Sequence, residues 1–202
     1  LRHIGGFKKK IILSTGMSNL EEVKKAIGIL ESAGTPKQKI TVLHCNTEYP
    51  TPMEDVNLKA MLTIRDKLGV SVGYSDHTLG IEIPVAAVAL GAIVIEKHFT
   101  LSRADKGPDS EFSLEPDELE RLCRDTHDAW SALGREGFER PQAEASSNVF
   151  RRSIYFVKDL AAGAEVCPED IRRIRPGLGL PPRYFNTLVG KRTKVSVTRG
   201  TP

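Results

Sequence analysis

The 202-residue sequence is poor in cysteine and tryptophan, and it has no long apolar run. Its three cysteines, Cys45, Cys123 and Cys167, lie far apart, so they indicate neither a disulfide framework nor a four-ligand zinc site. No apolar stretch approaches the length of a membrane-spanning helix, and no secretory signal pattern opens the chain. These absences favour a reducing compartment, and we expect a cytoplasmic protein without a membrane partner.

An excess of charge of one sign is also missing. The 29 basic and 26 acidic side chains leave a formal net charge of +3, and only Lys8, Lys9 and Lys10 form a basic cluster. A dedicated nucleic-acid-binding protein carries a larger and more concentrated positive charge, so we expect no nucleic-acid partner. Apolar residues make up 40% of the chain, which is enough to form a packed core.

The first two-thirds of the chain repeats one pattern. Four short runs rich in β-branched residues are each followed by a polar loop and then by a helical stretch. The four runs are Ile11–Leu13, Ile40–Leu43, Val70–Val72 and Ile93–Ile95. They begin 29, 30 and 23 residues apart, which is a typical period for βα units. The runs predict parallel strands that are buried on both faces and joined by right-handed crossovers.

The helical stretches carry start and stop signals. The first helix is expected to begin at a capping box formed by Ser18 and Glu21, and to end at Gly34. The other three are predicted over residues 54–68, 82–90 and 116–133, the last of them lying between a favourable first-turn proline and a terminal glycine.

Four βα units in a row fit either a small open doubly wound sheet or half of an eight-stranded barrel. Every predicted strand runs into a loop dense in polar and glycine residues, and in a barrel all these ends converge on one site. We therefore predict an α/β fold in which residues 1–134 form half of a TIM (β/α)8 barrel. Residues 135–149 lose the apolar period and are expected to form a linker. Residues 150–202 are expected to form a small β-rich module with a final strand over residues 194–197.

Two motifs place a histidine at the ends of neighbouring predicted strands: Gly73-Tyr74-Ser75-Asp76-His77 and Glu96-Lys97-His98. Because side chains alternate along a strand, Ser75 and His77 share one side, and Glu96 and His98 share the matching side of the next strand. Two neutral imidazoles at one barrel rim, with further coordination positions open, suit a divalent metal such as Mn²⁺. The alternative is that both histidines are ordinary hydrogen-bonded loop residues.

Other predicted loops carry groups suited to substrate binding. The segment 14–17 offers hydroxyls and free N–H groups before a helix, which suits a phosphate or carboxylate but also an ordinary capped loop. The loop 44–52 is long for a βα connection, which favours a functional loop over a merely rigid turn. Asp109 and Arg175 lie in later loops, where the alternatives are a solvated turn and a plain surface arginine.

In chain order, several motifs together resemble the sialic acid synthase family. They are STGM, HCNTEYPTP, GYSDHTLG, EKHFTL, GPDS, FSLEP, RRS and RPGLGL. The last part of the chain resembles the antifreeze-like (SAF) domain. The resemblance implies a TIM barrel enzyme that condenses phosphoenolpyruvate with an N-acylated amino sugar in its open-chain aldehyde form. The products are a nine-carbon 2-keto-3-deoxy acid and phosphate, and a divalent metal is required, Mn²⁺ first and Mg²⁺ or Co²⁺ as alternatives.

The resemblance also implies roles for individual residues. His77 and His98 match the family's catalytic metal ligands, and Ser14 and Ser75 match serines that bind phosphoenolpyruvate. Tyr49 matches a tyrosine of the sugar pocket, and Thr47 stands where some members have asparagine. Asp109 matches an aspartate that contacts the N-acyl group of the sugar. Arg175 matches an arginine that reaches the other subunit's active site in a domain-swapped homodimer.

The resemblance leaves several points open. The motifs GPDS, FSLEP and RPGLGL slightly favour pseudaminic acid synthases, whereas HCNTEYPTP points to N-acetylneuraminate or legionaminate synthases. The resemblance implies that the family's first four βα units, with a lysine for phosphoenolpyruvate and a catalytic glutamate, are not among these residues, and that the SAF domain is clipped at its end. We therefore expect the 202 residues alone to be inactive. The alternatives from other classes are a non-catalytic carbohydrate-binding protein and an aldolase that uses Lys97 as a Schiff-base lysine.

Overall fold

The computed structural model describes residues 1–139 and 141–202, so position 140, inside the predicted linker, lies outside the described residues. The chain divides into two compact units, Leu1–Arg135 and Glu136–Pro202. In the described part of the chain, no helix is both long and apolar enough to cross a membrane.

The first unit is built on a curled, parallel four-stranded sheet with the strand order β1-β2-β3-β4. The strands are β1 (Ile11–Ser14), β2 (Ile40–Cys45), β3 (Ser71–Asp76) and β4 (Ile95–Lys97). The helices are α1 (Arg2–Gly6), α2 (Leu20–Ser32), α3 (Lys59–Leu68), α4 (Glu82–Ala89) and α5 (Pro116–Leu133). Helices α2, α3 and α4 connect successive strands, and α5 follows β4. This arrangement is half of a TIM barrel and confirms the predicted α/β fold class.

One side of the sheet packs against the helices. Ile40 and Val42 of β2 and Val72 and Tyr74 of β3 are buried there, in a single core cluster with apolar residues of the helices. The helix residues of this cluster are Val23, Ile27, Leu30, Met61, Ile64, Leu68 and Ala87. The alternation of side chains along each strand directs the intervening residues to the opposite side, which is the interior side in a barrel.

Gly73 brings β3 and β4 close together on the interior side. A Cβ atom at this position would lie 2.4 Å from the carbonyl oxygen of Val94 and 2.5 Å from Cδ2 of Leu43. Only a residue without a side chain fits here. The strands then pair in the register Tyr74 with Ile95, Ser75 with Glu96 and Asp76 with Lys97. This register determines which side chains meet at the strand ends.

Two helix starts differ from the sequence predictions. The capping box of α2 is formed by Asn19 and Glu22, one residue later than predicted, because the Asn19 side chain accepts the Glu22 N–H at 3.0 Å. The second predicted helix begins late, at Lys59. Asn57 adopts a left-handed conformation, with φ of 45°, and separates α3 from a short 3-10 turn over Met53–Asp55.

The second unit contains an antiparallel pair, β5 (Ser153–Phe156) and β6 (Ile171–Ile174), and the short helix α6 (Phe185–Leu188). Its core consists of Ile154, Val166 and Ile171. The segment Gln142–Phe150, within and just after the predicted linker, forms an exposed 3-10 helix.

The predicted final strand over residues 194–197 is wrong. Val197 forms only an isolated bridge with Leu160. Pairing does not extend from this bridge because the Ser196 hydroxyl accepts the N–H of Ala162, and the Thr193 carbonyl accepts that of Gly163.

Replacing Gly73 with alanine is expected to lower the free energy of unfolding of the intact protein by about 1–3 kcal/mol, because the added methyl group overlaps the Val94 carbonyl oxygen. Urea unfolding measures the change. Gly28→Ala in α2 is the control, since no atom lies within 4 Å of the added Cβ and alanine favours a helix by up to about 1 kcal/mol. Equal stability of wild type and Gly73→Ala would contradict the close approach of β3 and β4.

Candidate active site

His77 and His98 lie side by side just beyond the ends of β3 and β4. Asp76 pairs with Lys97 at the last position of the ladder, so the two histidines occupy the next position on each strand. Their ring centroids are 5.3 Å apart, with the rings inclined at 61°. The structure therefore brings together the two residues for which the sequence predicts a metal-binding role.

The hydrogen bonds of His77 determine which of its nitrogens is available. Its Nδ1 lies 2.7 Å from the backbone carbonyl oxygen of Asn46. A carbonyl oxygen only accepts, so Nδ1 carries the hydrogen, and the lone pair of the neutral ring is on Nε2. The N–H of Thr51 also donates to the His77 carbonyl oxygen at 2.9 Å, which ties the loop after β2 to this strand end. A second-sphere bond of this kind orients a metal-binding histidine.

His98 has an acidic and an aromatic neighbour. Its Nδ1 lies 3.6 Å from Oδ2 of Asp109, and its ring centroid is 5.1 Å from that of Phe112. The exposed ring of Tyr49 lies 4.1 Å from the His77 ring and 5.9 Å from the His98 ring. Tyr49, Phe112 and the two imidazoles thus form one aromatic cluster, to which Asp109 is attached.

Ser75 and Glu96 lie one step back from the histidines on the same side of the sheet, as side-chain alternation predicts. The Ser75 hydroxyl donates to Oε1 of Glu96 at 2.7 Å, and Ser75 is only 3% exposed. A cleft of about 300 Å³ is lined by these two residues together with His77, Lys97 and His98. The sequence-based set of site residues did not include Glu96, although the alternation already put it on the side of His98.

The donor set of the cleft fits a divalent ion held by two imidazoles. The Nε2 lone pair of His77 is free of the Asn46 hydrogen bond, and the His98 ring lies beside it. Across residues 1–139 and 141–202, no group of three or more histidine, cysteine, aspartate or glutamate side chains is arranged to bind a metal. An ion held here by this chain would therefore keep coordination positions open for substrate oxygens or water.

Two predicted site residues, Ser14 and Thr47, are not joined to this cluster in the described part of the chain. Ser14 is exposed at the end of β1, where it pairs in register with Leu43, and Thr47 is exposed in the loop after β2. Within the described residues, no hydrogen bond joins either of them to the histidine cluster. Arg175 belongs to the second unit, where it follows β6 directly and is exposed. Their substrate-binding roles remain predictions.

Lys97 and Asp76 form a buried ion pair on the helix-facing side of the same two strands. Lys97 Nζ donates to Asp76 Oδ2 at 2.5 Å and to the carbonyl oxygen of Thr78 at 2.6 Å. A Schiff-base lysine must be accessible and neutral. The Lys97 side chain is 3% exposed and ion-paired, so the structure does not support the aldolase alternative. On the same side, burial and the nearby charge of Asp76 raise the pKa of Tyr74 far above its ordinary value.

Comparisons with known proteins identify related synthases and two matching family models. The NeuB family matches residues 1–137, and the SAF domain matches residues 151–202. An N,N'-diacetyllegionaminic acid synthase of Campylobacter jejuni is 44% identical over 193 residues, which cover 95% of this chain. A pseudaminic acid synthase of the same species is 38% identical over 200 residues, or 99% of this chain. The chain spans 58% of the length of each of these two relatives.

A solved structure of a named synthetase is similar to this chain in its fold. It is the crystal structure of an N-acetylneuraminic acid (sialic acid) synthetase from Leptospira borgpetersenii in complex with citrate. The two chains align with a TM-score of 0.66 and 37% sequence identity. The alignment covers 72% of this chain and 50% of the Leptospira chain.

The hydrogen bond to Asn46 predicts that the neutral form of the His77 ring is the Nδ1–H tautomer. Long-range ¹H–¹⁵N correlation spectra of protein with ¹⁵N-labelled histidine distinguish the two tautomers, and the spectrum of His77→Ala assigns the signal. Exposed His127 serves as the reference and is expected to show the averaged signals of a solvated ring. An Nε2–H pattern for His77 would contradict the hydrogen bond.

Proposed function

This chain belongs to the NeuB family and carries a SAF domain, and we propose that the intact protein is a nonulosonic acid synthase. It is a transferase that condenses phosphoenolpyruvate with an N-acylated amino sugar, giving a nine-carbon 2-keto-3-deoxy acid and inorganic phosphate. The observation that carries the proposal is the pair of imidazoles 5.3 Å apart, facing a cleft shared with Ser75 and Glu96. Relatives named as legionaminic and pseudaminic acid synthases support it.

In the proposed reaction, C3 of phosphoenolpyruvate forms a bond to the aldehyde carbon of the sugar, and water adds to C2. The C2–O bond to phosphate then breaks, so the bridging oxygen leaves with phosphate. His77 and His98 would hold a divalent ion, Mn²⁺ in our proposal with Mg²⁺ or Co²⁺ as alternatives, which supplies Lewis-acid polarisation of the aldehyde oxygen. In the neutral ring, the hydrogen bond from Nδ1 to the Asn46 carbonyl oxygen leaves the lone pair of His77 on Nε2 for this role.

The remaining residues would bind and orient the two substrates. Ser14 and Ser75 are proposed to bind phosphoenolpyruvate, for which the Ser75 hydroxyl must turn from Glu96 to the anion. Tyr49 offers an exposed aromatic face to the sugar, and Thr47 offers a hydroxyl. The half-exposed carboxylate of Asp109 is suited to accept the N–H of the N-acyl group.

Arg175 and the cellular location complete the proposal. Arg175 would reach the active site of the partner subunit in a domain-swapped homodimer, where its guanidinium suits a carboxylate or carbonyl oxygen. A cytoplasmic location is supported by the three unpaired cysteines, Cys45, Cys123 and Cys167.

Two observations point to different acceptor sugars. The motifs GPDS, FSLEP and RPGLGL slightly favour a pseudaminic acid synthase. Sequence identity is higher to the legionaminic acid synthase, at 44%, than to the pseudaminic acid synthase, at 38%. The acceptor is therefore best assigned by direct competition among the six-carbon precursors of pseudaminic, legionaminic and N-acetylneuraminic acids.

The intact protein is expected to release phosphate from phosphoenolpyruvate only when a divalent ion, supplied as Mn²⁺, and one of these amino sugars are present. His77→Ala and His98→Ala are each expected to lower kcat/KM at least about 100-fold, because each removes a metal ligand. His127→Ala, at an exposed position of α5, is the matched control and is expected to be fully active. With ¹⁸O at the bridging position of phosphoenolpyruvate, the label is expected in phosphate.

Two results would contradict the synthase. One is the absence of phosphate release with every sugar of the panel, and the other is unchanged activity of both histidine variants. Sugar binding without turnover in the intact protein would instead support a non-catalytic carbohydrate-binding protein.

The 202 residues expressed alone are expected to be inactive. The matched region spans less than three-fifths of the length of the relatives above, and a half barrel leaves the outer edges of β1 and β4 unpaired. The same phosphate-release assay measures this, with the intact protein as positive control. Measurable synthase turnover by the 202 residues would overturn the expectation.

A further inference from the structure

We propose that Asp76 and Lys97 are positioning residues, whose buried ion pair holds the rings of His77 and His98 side by side, 5.3 Å apart. The inference rests on the function proposed above and adds two residues to it. Although Lys97 is among the residues that line the cleft, the side chains of Lys97 and Asp76 are 3% and 0% exposed, and their charged groups are paired with each other. They act on the histidines through the backbone.

The ion pair is adjacent to both histidines at once. Asp76 directly precedes His77, Lys97 directly precedes His98, and the two are register partners at the last rung of the β3–β4 ladder. The carboxylate and ammonium groups are 2.5 Å apart, and their side chains are 0% and 3% exposed. A contact between the charges on one side of the strands therefore holds the imidazoles together on the other side.

Thr78 extends the connection to the far side of His77. Its N–H and its hydroxyl donate to Asp76 Oδ1 at 2.9 and 2.8 Å, and its carbonyl oxygen accepts from Lys97 Nζ at 2.6 Å. Thr78 is completely buried. The residues on both sides of His77 are thus bound to the side chain that precedes His98. This arrangement leaves the backbone of His77 little freedom to move relative to β4.

Stability alone does not explain a charged pair at this position. Moving two charges out of water costs several kcal/mol per ion, and well-packed apolar replacements of buried pairs are often neutral or stabilising. The need for a positional constraint is clear, because β4 contains only three residues and lies at the edge of the described sheet. A short edge strand defines the position of its last side chain poorly unless another contact fixes it.

The test is the double variant Asp76→Asn/Lys97→Met in the intact protein. Asparagine keeps an oxygen that accepts both Thr78 hydrogen bonds, and methionine keeps the volume of lysine, so no lone charge is left buried. The dissociation constant for Mn²⁺, measured by titration of the metal-free protein and detected by electron paramagnetic resonance, is expected to rise about 10- to 100-fold. The unfolding midpoint is expected to stay close to that of the wild type.

A matched control removes an ion pair elsewhere. Lys158→Met breaks the pair with Asp170 in the second unit, where the two groups are 3.0 Å apart, and is expected to leave Mn²⁺ affinity unchanged. If the double variant does not fold, Thr78→Val replaces it, because valine is isosteric and removes one bond to Asp76. Its dissociation constant is expected to rise about two- to tenfold. Wild-type Mn²⁺ affinity in whichever of these variants folds overturns the positioning role.

A structural readout separates this inference from the proposed function. In crystals of the metal-free double variant, the His77 and His98 ring centroids are expected to move from their separation of 5.3 Å. If the wild-type protein binds no Mn²⁺, or if His98→Ala binds it as tightly, the metal role of the histidines fails. The ring separation still decides the positioning role in that case, and an unchanged separation overturns it.

Discussion

The close pairing of β3 with β4 is the constraint on which the candidate site depends. It requires glycine at position 73, where a side chain would collide with the Val94 carbonyl oxygen. From this contact the register continues through Ser75 and Glu96 to the two histidines. A shift of one residue would turn one imidazole to the helix-facing side, so the chemistry of the cleft depends on a backbone contact four residues before His77.

The two sides of these strands have different tasks. On the helix-facing side, Tyr74 and the side chains of Asp76 and Lys97 are buried. Asp76 accepts hydrogen bonds from Lys97 and Thr78, whereas the buried Tyr74 hydroxyl has no hydrogen-bond partner among the described residues. On the interior side, the polar groups face a cleft and keep free acceptor positions. The separation of a fixed charge network from an accessible ligand pair follows directly from the two-residue period of a strand. It allows one short motif to supply both the support and the ligand.

Much of this arrangement could be predicted from the sequence, and the exceptions have physical causes. The β-branched runs predicted the four parallel strands, and alternation predicted that Ser75, His77, Glu96 and His98 share one side. Alternation also turned Lys97 away from His98. The tautomer of His77 could not be predicted, because the hydrogen-bond partner of its Nδ1 is a backbone carbonyl oxygen, and every residue has one. The prediction of a final strand near Val197 was wrong because the hydrogen bonds that replace strand pairing there leave no pattern in the sequence.

The spacing of the two serines is compatible with the proposed binding of phosphoenolpyruvate. Ser14 is level with Gly73 across two strand spacings, and Ser75 lies two residues farther along β3. In a flat sheet this offset corresponds to about 12 Å, and the curl of a barrel shortens it. This offset separates Cα atoms, and each serine hydroxyl contacts a ligand oxygen at about 2.8 Å, so a molecule that contacts both serines needs acceptor oxygens several ångströms apart. A small molecule with an anionic group at each end spans such a gap, which a single phosphate does not. The proposed ligand, phosphoenolpyruvate, carries a phosphate and a carboxylate and meets this requirement.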